Sequence, residues 1–137
     1  MKSFKVKTKS REELIDITSL VTTALQESTA TEGMCLVYCP HTTAGITINE
    51  NADPDVVRDL LFALDRAVPL EGGYHHAEGN SAAHVKSSLV GASCLVLFSD
   101  GRLVLGQWQS IFFCEFDGPR NRTVLVKILP TRDGVAL

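Results

Sequence analysis

Histidines are the residues of this sequence whose chemistry is easiest to assign, because imidazole binds metals and exchanges protons near neutral pH. Of the four histidines, His75, His76 and His84 fall within the stretch HHAEGNSAAH, and His41 lies far upstream in CPHTTAGITINEN. Three neutral imidazoles that converge on one point form the ligand set of a catalytic zinc site. The spacing alone also fits histidines on a polar surface loop. Metal binding, proton transfer and a plain surface position are therefore all open at this point.

A dense group of polar residues follows His41 and predicts a pocket floor where a strand ends. Its members are Thr42, Thr43, Asn49, Glu50 and Asn51. Glu50 is a candidate acid–base residue, or a residue that orients a ligand of the site. Asp53 and Asp55 form a D-x-D pattern. The interpretation we favour is that one caps a helix and the other complements its dipole.

Charged residues surround a Gly-Pro turn in the segment EFDGPRNR. Arginine presents a planar fork that matches carboxylate or phosphate, so Arg120 and Arg122 are candidate anion binders. A structural pair between Glu115 and an arginine across the turn explains the same pattern equally well. Lys86 follows His84 on the same predicted helix and is a further candidate anion binder, with solvated helix surface as the alternative.

Composition narrows the classes of partner. The chain has 137 residues and a formal net charge of −3, with no run of Lys or Arg. We therefore expect one domain over residues 1–137, and neither nucleic acid nor an anionic membrane as the main partner. The start, MKSFKVKTKS, is typical of neither a signal peptide nor a membrane span. Three of the four cysteines lie in apolar strand-like runs, so we expect a reducing cytoplasm.

The hydrophobic pattern predicts an α+β fold with an antiparallel β-sandwich-like core and about three helices. The predicted strands lie in FKVKTKS, ELIDIT, GMCLVYCP, AGITINE, SCLVLF, RLVLG, QWQSIFFCEF and RTVLVKIL. The first two could form a hairpin, and Asp100-Gly101 is a strong turn signal for another. Helices are predicted in SLVTTALQESTA, after Asp53-Pro54, and in NSAAHVKSSLVG with Asn80 or Ser81 as its cap.

Four segments occur together in an order and spacing that resemble one known family. They are HTTAGITINENADPDV, YHHAEGNSAAHVKSSLVG, LGQWQSI and EFDGPRNR. The sequence resembles the YjbQ-like family over about residues 3–130. Its pattern of Tyr-x-His matches Tyr74 and His76, which selects His76 rather than His75. The Thr that family members commonly have between Gly and Trp is Gln107 here.

The resemblance implies a YjbQ-like α+β fold that assembles as a homotrimer. It also implies that His41, His76 and His84 gather at a site that some family members fill with a metal ion. Zinc is favoured by the ligand type, and magnesium would suit a diphosphate substrate. On this reading Glu50 joins the histidines as a catalytic residue. The residues that we predict to bind substrate are Thr42, Thr43, Asn49, Asn80, Lys86, Glu115, Arg120 and Arg122.

The family is usually described as secondary thiamine-phosphate synthase. The implied reaction joins hydroxymethylpyrimidine pyrophosphate to thiazole phosphate and releases pyrophosphate. We therefore expect an enzyme with a small phosphorylated substrate. The word secondary in the family description implies that the transferase activity is a side reaction. One alternative is a metal-dependent hydrolase of a small anionic metabolite. Another is a non-catalytic trimer that binds a metabolite or a partner protein.

Overall fold

The computed structural model describes residues 1–132 and contains eight strands and three helices in that range. The strands are β1 (Lys2–Lys7), β2 (Glu13–Asp16), β3 (Gly33–Tyr38), β4 (Ala44–Glu50), β5 (Ser93–Ser99), β6 (Arg102–Leu103), β7 (Gln109–Glu115) and β8 (Asn121–Pro130). The helices are α1 (Thr18–Ser28), α2 (Pro54–Ala67) and α3 (Ser81–Val90).

The strands form two antiparallel sheets. Sheet A has the order β1-β8-β3-β5-β6, and sheet B has the order β2-β7-β4. Residues of both sheets and of α1 share one buried apolar cluster, which includes Val21, Val37, Ile46, Phe113 and Val126. The α+β class and the sandwich-like core expected from the sequence are therefore confirmed.

Strand partners follow the two sheets rather than chain order. The expected β1–β2 hairpin is wrong, because β1 pairs with β8 and β2 pairs with β7. The chain leaves sheet A at Thr8, whose backbone N–H donates to the carbonyl of Arg120 and whose hydroxyl bonds Glu115. The β5–β6 hairpin is confirmed. Asp100 and Gly101 both have positive φ, 51° and 69°, as the tight primed turn requires.

Helices α2 and α3 pack on the outer face of sheet B. Phe112, Cys114 and Phe116 of that face contact Ala83 of α3 and an apolar stripe of α2 that includes Leu61. The start of α2 is as predicted: the Asp53 carboxylate accepts the N–H of Asp55, and Pro54 is the first helical residue. Asn80 is the N-cap of α3, but its side chain makes no capping hydrogen bond.

The outer face of sheet A is uncovered within residues 1–132. Leu95 and Leu97 of β5 are about 60% exposed and lie opposite Leu36 and Met34 of β3. A row of apolar side chains on one side of a sheet is typical of a surface that another chain covers. Within residues 1–132, no helix is both long and apolar enough to cross a membrane.

A buried ion pair joins the two sheets. Glu115 of β7 is fully buried and accepts hydrogen bonds from Arg122 Nε of β8 (2.9 Å), from Arg122 Nη2 and from the Thr8 hydroxyl (2.8 Å). Burial alone would raise the pKa of the Glu115 carboxyl. The hydrogen bonds from Arg122 and Thr8 outweigh that effect and hold its pKa below the usual value.

Replacing Arg122 with methionine is expected to destabilise the fold strongly, because it leaves the Glu115 carboxylate buried without a cation. The free energy of unfolding at pH 7 should fall by about 3–5 kcal/mol in urea titrations. In the wild type, Glu115 contributes stability above its unfolded pKa of about 4.3, and that stability is lost as the pH falls through its lower folded pKa. In Arg122→Met the pKa of Glu115 should rise, because the buried carboxylate has lost its cation. Mild acid should then protonate Glu115 in the variant and reduce the difference in the free energy of unfolding between variant and wild type.

Arg120→Met is the matched control for that measurement. Arg120 is about half exposed, so its loss should cost less than about 1 kcal/mol. Equal stabilities of Arg122→Met and wild type at pH 7 would contradict the importance given to the buried pair.

Candidate functional site

The three predicted histidines line one pocket, which we call the histidine pocket. Its volume is about 410 Å³, and its walls come from the loop before β4, the loop before α3, the start of α3 and the turn between β7 and β8. The lining residues are Pro40, His41, Thr42, Thr43, His76, Glu78, Asn80, His84, Asp117, Arg120 and Arg122. The fold therefore brings together side chains that are separated by up to 82 positions, as for Pro40 and Arg122.

His76 and His84 form a pair at the wall of the pocket. Their ring centroids are 5.4 Å apart and the rings are nearly perpendicular, at 88°. His76 Nε2 lies 4.0 Å from Glu78 Oε1, which is beyond hydrogen-bond distance. Two neighbouring imidazoles that face one cavity can donate and accept protons on a ligand held between them. His75 does not line this pocket.

His41 is held by the backbone of sheet A. Its Nε2 accepts the N–H of Thr123 at 2.9 Å. Burial and the nearby charge of Arg122 lower the pKa of His41 below the usual value for imidazole. A neutral ring whose Nε2 is an acceptor carries its proton on Nδ1. His41 therefore offers the pocket an N–H donor.

That hydrogen bond bears on the expected metal. A ligating imidazole needs a free nitrogen lone pair, and His41 Nε2 is occupied by Thr123 while Nδ1 carries the proton. Within residues 1–132, no group of three or more His, Cys, Asp or Glu is placed to hold a metal ion. As arranged, the residues do not fit a three-histidine centre, and zinc or magnesium binding stays a prediction from the resemblance alone.

The turn between β7 and β8 supplies the exposed cation of the pocket. Arg120 Nε donates to the carbonyl of Asp117 (2.7 Å) and its Nη2 to Asp117 Oδ2 (3.0 Å), and its side chain is 51% exposed. Asn80 Nδ2 donates to the same carboxylate oxygen at 2.8 Å. Asn80 Oδ1 is buried and has no hydrogen-bond partner among the described residues. Asp117 thus connects the start of α3 to the turn that carries Arg120.

Arg122 belongs to the structural pair rather than to the exposed surface of the pocket. It is only 5% exposed, and besides Glu115 it donates to Thr43 Oγ1 at 2.8 Å. Of the two readings of the Gly-Pro turn, the structural Glu–Arg pair describes Glu115 and Arg122. Thr43 is buried with them, whereas Thr42 is exposed at the pocket rim.

Besides the fully buried Glu115, which was predicted to bind substrate, three predicted site residues do not line the histidine pocket. Asn49 and Glu50 are at the far end of β4, about 20 Å from its start at about 3.3 Å per residue. Lys86 is 2% exposed and turns inward, where Nζ donates to Glu12 Oε1 at 2.9 Å and to Asp65. These three residues are therefore not part of the pocket.

Asp117 and Glu78 line the pocket but were not predicted as site residues. Asp117 is part of the E-x-D-G-P-R-x-R segment, so its position beside Arg120 was a usable signal. Glu78 follows His76 in a loop without periodicity, and nothing in the local sequence distinguishes it.

Comparisons with known proteins point to one family. The model of the family described as UPF0047 protein YjbQ-like matches residues 2–131. The UPF0047 protein YugU of Bacillus subtilis is 57% identical over 130 residues, covering 94% of this chain and 98% of the relative. The UPF0047 protein MJ1081 of Methanocaldococcus jannaschii is 52% identical, with coverages of 92% and 91%. A crystal structure of an uncharacterized YjbQ/UPF0047 protein from Clostridium acetobutylicum has a TM-score of 0.93 at 55% identity, covering 94% and 100%.

The hydrogen bond from Thr123 predicts the tautomer of His41. Long-range ¹H–¹⁵N spectra of imidazole-labelled protein at pH 7 should show His41 neutral and protonated on Nδ1, and the ring should stay neutral to a lower pH than a free imidazole. The backbone amide resonance of Thr123 should shift strongly in His41→Ala and little in His75→Ala. An Nε2-protonated or charged His41 at pH 7 would contradict the assignment.

Proposed function

This chain belongs to the YjbQ-like UPF0047 family, and we propose that it is an enzyme that acts on a small phosphorylated metabolite in the histidine pocket. The observation that carries the proposal is the convergence of His41, His76, His84 and Arg120 on one cavity of about 410 Å³. Imidazoles and a half-exposed guanidinium in one cavity supply proton transfer and anion binding together.

The reaction we propose first is a thiamine-phosphate-synthase-like transfer. In it, a bond from thiazole phosphate to the pyrimidine part forms while the bond from that part to the pyrophosphate oxygen breaks. Pyrophosphate leaves with the electron pair, so negative charge grows on its oxygen. Donors already aimed at that position lower the barrier, since they need no reorganisation during the reaction.

Charged residues and histidines of the pocket take the roles in that step. Arg120 and the Nδ1–H of His41 donate hydrogen bonds to phosphate oxygens. His76 or His84, when protonated, donates a proton to the leaving pyrophosphate. Asp117 orients Arg120 through its Oδ2 and is therefore a positioning residue. The buried Arg122 donates a hydrogen bond to Thr43 and so stabilises the positions of Thr43 and of the β7–β8 turn.

A second candidate function is non-catalytic binding of an anionic metabolite. One observation favours it: both arginines of the pocket already pair with carboxylates, Arg120 with Asp117 and Arg122 with Glu115. Such pairing reduces the positive potential available to stabilise a developing charge. A hydrolase that depends on a metal receives less support, because His41 offers no free lone pair.

The transfer can be tested with the pyrimidine and thiazole substrates. His84→Gln and His76→Gln should each lower kcat at least about tenfold if the imidazoles transfer protons. Ser88→Ala is the matched control on α3, because Ser88 is exposed, does not line the histidine pocket, and its hydroxyl donates to the backbone carbonyl of His84 (3.1 Å) rather than to the imidazole. Full turnover in both histidine variants would refute the assigned roles. No turnover in wild type, with a metabolite bound on purification, would favour the binding protein.

We also propose that the chain assembles as a homotrimer through the uncovered face of sheet A. Leu95 and Leu97, about 60% exposed, lie on that face. Covering such side chains stabilises an interface by about 25 cal/mol per Å² of apolar surface.

Charged substitutions on that face should weaken the assembly. Leu97→Asp is expected to give a monomer in light scattering, because a carboxylate would be buried without a partner. Val85→Asp, on the opposite side of the molecule at α3, is the control and should leave the mass unchanged. A monomeric wild type, or a Leu97→Asp protein of unchanged mass, would contradict the proposed interface.

A further inference from the structure

A second cavity lies on the other side of the histidine pair. Its volume is about 560 Å³, and we call it the Tyr74–Val85 cavity. It is lined by Gly73, Tyr74, His75, His76, Ser81, His84 and Val85. His76 and His84 line both this cavity and the histidine pocket. The two imidazoles therefore form a shared wall between two adjacent binding spaces.

The two spaces differ in chemistry. None of the residues lining the Tyr74–Val85 cavity is Asp, Glu, Lys or Arg, whereas the histidine pocket has Glu78, Asp117 and two arginines. Val85 is 41% exposed, although it is an apolar residue on a helix whose opposite side is buried. This cavity is suited to an uncharged group with apolar surface.

Tyr74 is fixed in the wall of the cavity. Its hydroxyl donates to the carbonyl of Pro69 at 2.7 Å, so the polar end of the side chain is already satisfied and the ring is held. The remaining wall is made of three histidines, Val85, Ser81 and Gly73. Aromatic faces and edges of this kind pack well against a planar ring.

We propose that the Tyr74–Val85 cavity binds the ring portion of a ligand whose phosphate lies in the histidine pocket. The ligand class is an aromatic or heteroaromatic ring joined to a phosphate by a short linker, and that linker passes His76 and His84. This inference rests on the proposed function, since it assumes that the phosphate occupies the histidine pocket. It places the atoms between ring and phosphate next to the groups that can transfer protons.

Binding of three simple probes tests the proposal. Benzyl phosphate has ring and phosphate, methyl phosphate has the phosphate alone, and benzyl alcohol has the ring alone. Titration calorimetry of the full chain should give benzyl phosphate an affinity at least about tenfold above methyl phosphate, because the ring leaves water for an apolar wall. Val85→Ser should reduce that ratio by about threefold or more and leave methyl phosphate binding unchanged, whereas Val85→Ile should keep it.

Leu89→Ser is the matched control, because Leu89 lies one turn further along α3, is 63% exposed and lines neither cavity. It should change neither affinity. Equal affinities for the two phosphates in wild type would overturn the ring site and leave the phosphate site standing. If neither phosphate binds, the proposed function fails. In that case the ring site is tested with benzyl alcohol alone. A shift of the Val85 methyl resonances on adding benzyl alcohol supports the ring site, and the absence of a shift overturns it.

Discussion

The buried pair of Glu115 and Arg122 is the constraint on which the rest of the structure depends. A carboxylate taken out of water without a cation costs several kcal/mol, so the two strands that carry these residues must keep their positions. The pair also fixes its surroundings, because Glu115 bonds Thr8 and the N–H of Asp117, and Arg122 bonds Thr43. One ion pair thus ties the end of β1, the start of β4 and the β7–β8 turn to a single point.

The histidine pocket adjoins this ion pair, because Arg122 and Thr43 also line the pocket. Its residues have two kinds of role. Fixed groups form its base, and groups with free hydrogen-bonding capacity face the cavity. Arg120 is held by Asp117, which also receives the amide of Asn80 and so connects the turn to α3. The start of α3 carries His84, and the loop before it carries His76. The geometry of the imidazole pair is therefore set by contacts that lead back to the ion pair.

The sequence predicted those features that local chemistry determines. Asp53 and Pro54 marked the start of α2, and Asp100-Gly101 marked the β5–β6 turn, because caps and primed turns need particular residues at particular positions. Strand partners depend on contacts between distant segments, so the proposed hairpin of the first two strands was wrong. The burial of Lys86 against Glu12 could not be predicted either, because a charged residue on a predicted helix does not indicate which face of the helix packs inward. The resemblance selected the three histidines, but the tautomer of His41 depends on the backbone of Thr123.

A direct test of the account is to locate where pyrophosphate binds the wild-type chain. Titration followed by ¹H–¹⁵N spectra of the backbone, imidazole and guanidinium groups compares every region of the molecule at once. We predict saturable shifts that are largest at the imidazoles of His41, His76 and His84 and at the guanidinium of Arg120, because these residues line the cavity. Shifts concentrated elsewhere, or none at these four groups under millimolar pyrophosphate, would contradict the histidine pocket as the functional site.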